Sequence, residues 1–114
     1  MSFSAKALYL RYSPFKLRPI VDVIRGKNVR AALNWLSTCH LKRAEPVRKV
    51  LYSAAANAKN VGNLDFEDLV IFDIRVDHGP MHKYFKPGAM GRANIQKKRT
   101  SHIRVQLASA KKEV

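Results

Sequence analysis

The 114-residue sequence predicts an α+β domain, on three observations. Apolar and polar residues alternate in three stretches, one near the N-terminus and two in the second half. Between the first and second of these lie three segments with apolar residues at helical spacing. The last two are separated by residues 78–100, which hold Gly79-Pro80, Pro87-Gly88 and Gly91 and show no helical stripe. The length suits one domain, and an apolar content of 46% is enough for one hydrophobic core.

The elements follow in order. Ser4 to Arg11 alternates weakly, with Leu8 and Leu10 on one side and Ala7 and Tyr9 on the other, and reads as a strand. Ser13-Pro14 is a helix-start signal, a hydroxyl N-cap followed by proline at the first helical position. Leu17, Ile20, Val21 and Ile24 form the apolar face of that helix, and Gly26 supplies its stop. Pro19 sits near the first turn, so a kink or a late start is expected rather than loss of the helix. Asn28 caps a second helix with Val29, Ala32, Leu33 and Leu36 as its apolar set. A third helix, about 43–59, carries Val47, Val50, Leu51, Ala54, Ala55 and Ala58, with Pro46 tolerable only in its first turn. Val61-Gly62-Asn63 breaks the pattern. From Leu69 to Asp77, Val70, Phe72, Ile74 and Val76 face one way and Asp73, Arg75 and Asp77 the other. Residues 101–107 match, with Ile103, Val105 and Leu107 against His102, Arg104 and Gln106. The tail from Ala108 to Val114 is expected to fray.

Residues 78–100 are too long for an ordinary loop, and loops of that length are usually functional or disordered. If both flanking strands continue outward, each leg spans about 35 Å. An isolated two-stranded ribbon is marginal in water, so such an arm needs something outside the domain to hold it.

Charge says what that something is. Twenty-two Lys and Arg oppose eight Asp and Glu, a net charge of +14 that repels itself unless a polyanion neutralises it. RNA, DNA and an anionic membrane are the candidates. The charges are also segregated. Residues 61–78 hold Asp65, Glu67, Asp68, Asp73 and Asp77 against Arg75 alone, whereas residues 78–112 contain nine basic side chains and no acid. Lys83, Lys86, Arg92, Lys97, Lys98 and Arg99 lie on the arm with Tyr84 and Phe85, cations for phosphates and rings for splayed bases. Lys97-Lys98-Arg99-Thr100-Ser101-His102 gathers three cations, two hydroxyls and an imidazole at its base. Lys16, Arg18, Arg25 and Lys27 fall off the apolar face of the first helix or at its end.

No catalytic constellation is evident. Phosphate-binding, dinucleotide-binding and nucleophile-elbow glycine motifs are missing. Cys39 is the only cysteine, so neither an internal disulfide nor a four-thiolate zinc site can form, and it reads as a half-buried residue near a helix end. His40, His78, His82 and His102 lack metal-binding spacing, and Asp73 and Asp77 read as a solvated face or as intradomain ion pairs. No catalytic residue, metal or cofactor is expected. The first sixteen residues lack the apolar run of a secretory signal, and no window approaches the ~18 apolar residues of a membrane span.

Ser13-Pro14-x-Lys16-x-Arg18 followed by Val21-Asp22-x-Ile24-Arg25-Gly26-Lys27 resembles the universal large-subunit ribosomal protein family numbered twenty-two. The resemblance continues through Ala32-Leu33-x-x-Leu36, Lys49-Val50-Leu51-x-Ser53-Ala54-x-Ala56-Asn57-Ala58, Val76-Asp77-x-Gly79-Pro80, Gly91-Arg92-Ala93 and Lys98-Arg99-Thr100-Ser101-His102-Ile103, and so covers nearly the whole chain. It implies three helices packed on a small three-stranded antiparallel sheet, with a long protruding β-hairpin. Residues 1–114 would then be one RNA-binding domain with 78–100 as the hairpin arm. It also implies large-subunit ribosomal RNA and neighbouring ribosomal proteins as partners, the nascent peptide as a candidate partner, and an arm that lines the peptide exit tunnel. A ribosomal location in the cytoplasm or an organelle follows, with a part in subunit assembly and no membrane, DNA or second copy of the chain. Matched by position, Lys16, Arg18, Arg25 and Lys27 would meet RNA from the body. Lys98, Arg99, Thr100, Ser101 and His102 would do so at the arm's base, and Arg92 near its tip. Lys86, Pro87, Gly88, Ala89, Met90, Gly91 and Arg92 would form the tip. Phe15 stands where the family commonly has a basic or polar residue, and Gly88 and Met90 stand where it has basic ones.

Rival readings are weaker. A DNA-binding regulator would read with the helix at residues 28–38, which offers little beyond Arg30 and Asn34 and leaves the arm without a purpose. A membrane-surface protein needs a helix with a bulky apolar face opposite a densely basic one, and none has it.

Overall fold

The computed structural model describes residues 2–91 and 93–109. Strand β1 (Ser2–Leu10) leads into helices α1 (Pro14–Ile24), α2 (Val29–Thr38) and α3 (Ala44–Gly62). A 3-10 turn (Phe66–Asp68) precedes β2 (Leu69–His78), the paired strands β3 (His82–Pro87) and β4 (Ala93–Lys98) form the arm, and β5 (Ser101–Ser109) returns. The body sheet is antiparallel in the order β1-β5-β2, so the last strand fills the middle. Against one face of the sheet, α3 packs on β1 and β5, α1 on β2, and α2 on α3. The expected α+β class holds.

Between the layers, every apolar residue assigned to the three helical stripes is buried. Leu17, Ile24, Val29, Leu51 and Val47 meet Leu69, Ile71, Ile74, Ile103, Val105 and Leu107 from the sheet. Asn28 caps α2 by accepting from the Arg30 N–H at 2.9 Å. Ser13 precedes α1, but its hydroxyl makes no capping bond; only its carbonyl enters the helix. The helix starts at Pro14 and runs through the exposed Pro19, so no late start occurs. Pro46 lies in the first turn of α3, where its missing N–H is harmless.

Helix α3 corrects one expectation, since it continues through Val61 and Gly62 and is closed by Asn63 in the left-handed region at φ 52°. Within the helix Gly62 leaves room for the close crossing of α3 over β1, where a Cβ would lie 2.6 Å from the Phe3 ring.

Both edge strands carry a bulge against β5, and each bulge overturns part of the alternation read from sequence. In β2, Ile71 pairs with Leu107 and Asp73 with Gln106, so Phe72 is an extra residue and the parity of the strand flips. Leu69 and Ile71 point inward before the bulge and Ile74 and Val76 after it, while Phe72 is 69% exposed rather than buried. In β1 the shift lies between Ala7 and Leu10. Ala7 and Leu10 pack on the core, Leu8 is exposed rather than facing the same way as Leu10, and Tyr9 takes φ 58°.

The outer edge of β2 is covered. Gly26 and Lys27 exchange backbone hydrogen bonds with Ile71, and Arg25 and Arg18 donate to the carbonyls of Ile74 (2.9 Å) and Val76 (3.4 Å). The Ile71 N–H and the carbonyls of Ile71, Ile74 and Val76 are thereby closed to pairing with another chain. Strand β5 runs to Ser109, so Ala108 and Ser109, expected to fray, are instead paired with Val70 and Leu69; the rest of that tail, 110–114, lies outside the described residues.

Candidate nucleic-acid interface

Where the arm leaves the body, one exposed aromatic ring gathers the local cations. Phe15 lies in the first turn of α1, and the guanidinium groups of Arg18 and Arg99 each lie 5.5 Å from its ring centre. The His78 ring meets it edge-on at 5.6 Å. His78 ends the outgoing strand and Arg99 lies on the return, so α1 touches both legs of the arm. A guanidinium is attracted to the negative face of a ring, which lets two like charges be held close together. Beside them the Gly79 N–H donates to the Thr100 carbonyl (2.9 Å), and the Thr100 hydroxyl donates to the Pro80 carbonyl (2.6 Å). A Cβ on Gly79 would run into the Thr100 hydroxyl, so the crossing tolerates only glycine without rearrangement.

The arm pairs in register from His82 opposite Lys98 to Pro87 opposite Ala93. Lys83 lies directly opposite Lys97, and all four of these arm-base side chains are exposed. Like charges facing each other across a strand pair destabilise it. Among the described residues β3 and β4 pack chiefly on each other, and the molecule reaches 70 × 25 × 19 Å. At the tip Met90 (φ 58°) and Gly91 (φ 76°) turn the chain, with Met90 fully exposed. Arg92 lies outside the described residues, as do the side chains of Lys86, Pro87 and Ala89.

The remaining sequence-derived positions divide. Lys16, Lys27, Lys97 and Lys98 are exposed. Arg25 and Arg18 are partly engaged in the body, Arg25 also pairing with Asp22 at 2.7 Å. Ser101 does not face a ligand: it is fully buried, and its hydroxyl donates to the Tyr12 carbonyl at 2.9 Å. His102 is half-buried, and its Nδ1 accepts the Tyr9 N–H at 3.0 Å.

Residues 5–108 match the family model described as ribosomal protein L22p/L17e. The chain belongs to that family. It is 50% identical over 113 residues, 99% of each chain, to the large ribosomal subunit protein uL22 of Desulforamulus reducens. It is 46% identical over 114 residues to the uL22 of Myxococcus xanthus, covering 98% of this chain and all of that one. A member of the L22p/L17e family is a structural component of the ribosome and not an enzyme.

Two features of this L22p/L17e chain escaped the sequence reading. The first is a groove of about 690 Å³ at the arm base, lined by Tyr9, Arg11, His82, Lys98, Arg99 and Thr100. Alternation marks Tyr9 and Arg11 only as strand residues, and nothing in linear spacing brings them beside residues 82 and 98. The second is a row of cations across the open face of the sheet, where Lys6, Arg104 and Arg75 are register partners on the three strands. Arg75 is paired with Asp73 at 2.8 Å. The signal for this row was present in the outward alternation of each strand, but strand order is needed to assemble it.

Proposed function

We propose that this chain, as a structural constituent of the large ribosomal subunit, binds large-subunit RNA through its basic body and extended hairpin. The hairpin lines the nascent-peptide exit tunnel and the protein supports subunit assembly. The observation that carries this reading is the facing of Lys83 and Lys97 on an arm that holds six cations and no acid and stands clear of the body. Such a ribbon opposes its own pairing in isolation and becomes stable when phosphates lie along it. Lys16, Arg18, Arg25 and Lys27 contact RNA from the body, and Lys97, Lys98, Arg99, Thr100 and His102 at the crossing. Ser101 serves from beneath by fixing the strand. Residues 86–92 form the tip, where Gly88 and Met90 reduce the number of phosphate contacts and leave an uncharged surface for a passing nascent peptide.

Co-sedimentation with large ribosomal subunits at moderate salt tests this, together with a crosslinking map to the ribosomal RNA. Crosslinks from both the arm and α1 are expected. Preference for duplex DNA over structured RNA would overturn it, as would indifference to structured RNA at physiological ionic strength. The DNA-reader alternative loses its main side chain, because Arg30 is held by Glu67 at 3.2 Å and lies over the Phe66 ring at 4.9 Å.

A further inference from the structure

The geometry points to the groove beside Tyr9 as a seat for one unpaired RNA nucleotide, its base stacked on the Tyr9 ring and its phosphates held by Arg11, Lys98 and Arg99. This rests on the RNA-binding reading above and names what the RNA must offer at this place.

Tyr9 is unusual in three respects. It is the one residue in the β1 strand with φ in the left-handed region, at 58°, which a side chain bearing a Cβ rarely adopts. It lies in the bulge, a device that re-aims a side chain out of the strand's alternation. The residue is 64% exposed although its ring is large and mostly apolar. Unfavourable backbone geometry persists only where the surroundings hold it, and here His102 holds it. The Tyr9 N–H donates to His102 Nδ1 at 3.0 Å, and the two rings stand 5.0 Å apart at 88°. The aromatic surface is therefore oriented before any ligand arrives, with most of it open to solvent.

The groove it borders is concave and of a size that suits a small ligand. Arg11, Lys98 and Arg99 bring three cations to it, Thr100 a hydroxyl and His82 an imidazole, and no acid lines it. Rings that stack on bases combined with cations that track phosphates are the two requirements for holding single-stranded nucleic acid. A base inside a helix has both faces covered by its neighbours, so the ring selects a nucleotide that is out of the stack. An acidic protein segment would use the cations but would gain little from the ring, and it is the alternative occupant.

The test uses the full-length chain and a large-subunit ribosomal RNA transcript, with affinity measured across a salt series. Tyr9→Leu should bind about tenfold more weakly at every salt concentration, the usual size of a lost base–ring stack, with an unchanged salt slope. Tyr9→Phe should restore the affinity that Tyr9→Leu loses. Arg11→Gln should lower the salt slope by about one. Tyr9→Gly separates binding from folding, because it relieves the left-handed backbone and should raise the unfolding temperature of the free protein while weakening RNA binding. Photocrosslinking with 4-thiouridine-substituted transcript should place an unpaired nucleotide on Tyr9. Wild-type affinity in Tyr9→Leu, crosslinks from this groove only to paired nucleotides, or displacement of the RNA from the groove by polyglutamate at equal charge would each overturn the inference while leaving RNA binding intact. Absence of RNA binding by the wild-type chain would instead overturn the reading on which it rests.

Discussion

Single residues decide whether the arm can be mounted on the body at all. Gly79 is required by space: a side chain there meets the Thr100 hydroxyl, the Thr100 backbone and the His102 ring. Gly79→Ala should destabilise the protein by about 1–3 kcal/mol, since Thr100 must rotate and give up its bond to Pro80. Denaturant titration checks this, and a neutral result would mean that the crossing is loose. Arg104 gives the opposite sign. It lies between Lys6 and Arg75 on the open sheet face, so Arg104→Gln should stabilise the free protein by about 0.5 kcal/mol at low ionic strength. The gain should fade in 1 M salt, where the screening length is about 3 Å. The sequence already pointed to Gly79, because Gly-Pro at a strand end signals a turn. Phe15 was legible only as a departure from the family pattern, and its use as a support for two arginines needs the return of Arg99 from eighty-four positions away.

Helices were more legible than strands, and the reason is physical. A helix of 3.6 residues per turn rarely takes up an extra residue, so the stripes of α1, α2 and α3 map directly onto the core. A strand tolerates an extra residue against its neighbour, and the bulges at Phe72 and within Ala7–Leu10 exchange the two faces midway. Alternation alone therefore placed Phe72 and Leu8 on the wrong sides. The link between α2 and the turn before β2 has its own signature. The carboxyl of Glu67 is held below its ordinary range by its own backbone N–H and then by Arg30. A lowered acid stabilises the folded form above its ordinary range and ceases to do so as the pH falls through the lowered value. The Arg30–Glu67 contact should thus be intact at neutral pH and lost in acid. NMR of the Arg30 side chain follows the loss, and Glu67→Gln should abolish the pH dependence. In α3, Gly62→Ala should destabilise despite the better helix propensity of alanine, because the Phe3 ring, itself in the core, must move. A thermal melt of the variant above that of the parent would contradict this.

At the scale of the whole molecule, body and arm are two mechanical parts joined at one crossing. Replacing residues 81–98 by Asn-Gly should leave a body that unfolds cooperatively within about 5 °C of the parent, because none of the described side chains of β3 and β4 belongs to the core cluster. The same deletion should sharply weaken co-sedimentation with large subunits. A molten body would show instead that the arm is part of the fold.

An excursion of this length also governs how the free protein moves through solvent. A compact chain of 114 residues would have a radius of gyration of about 13 Å, whereas this one has 17.5 Å. Drag depends on reach rather than on mass, so the monomer should elute from a gel-filtration column ahead of compact proteins of equal weight. Judged on elution volume alone it would pass for a larger species, and sedimentation equilibrium, which is blind to shape, should return the weight of one chain.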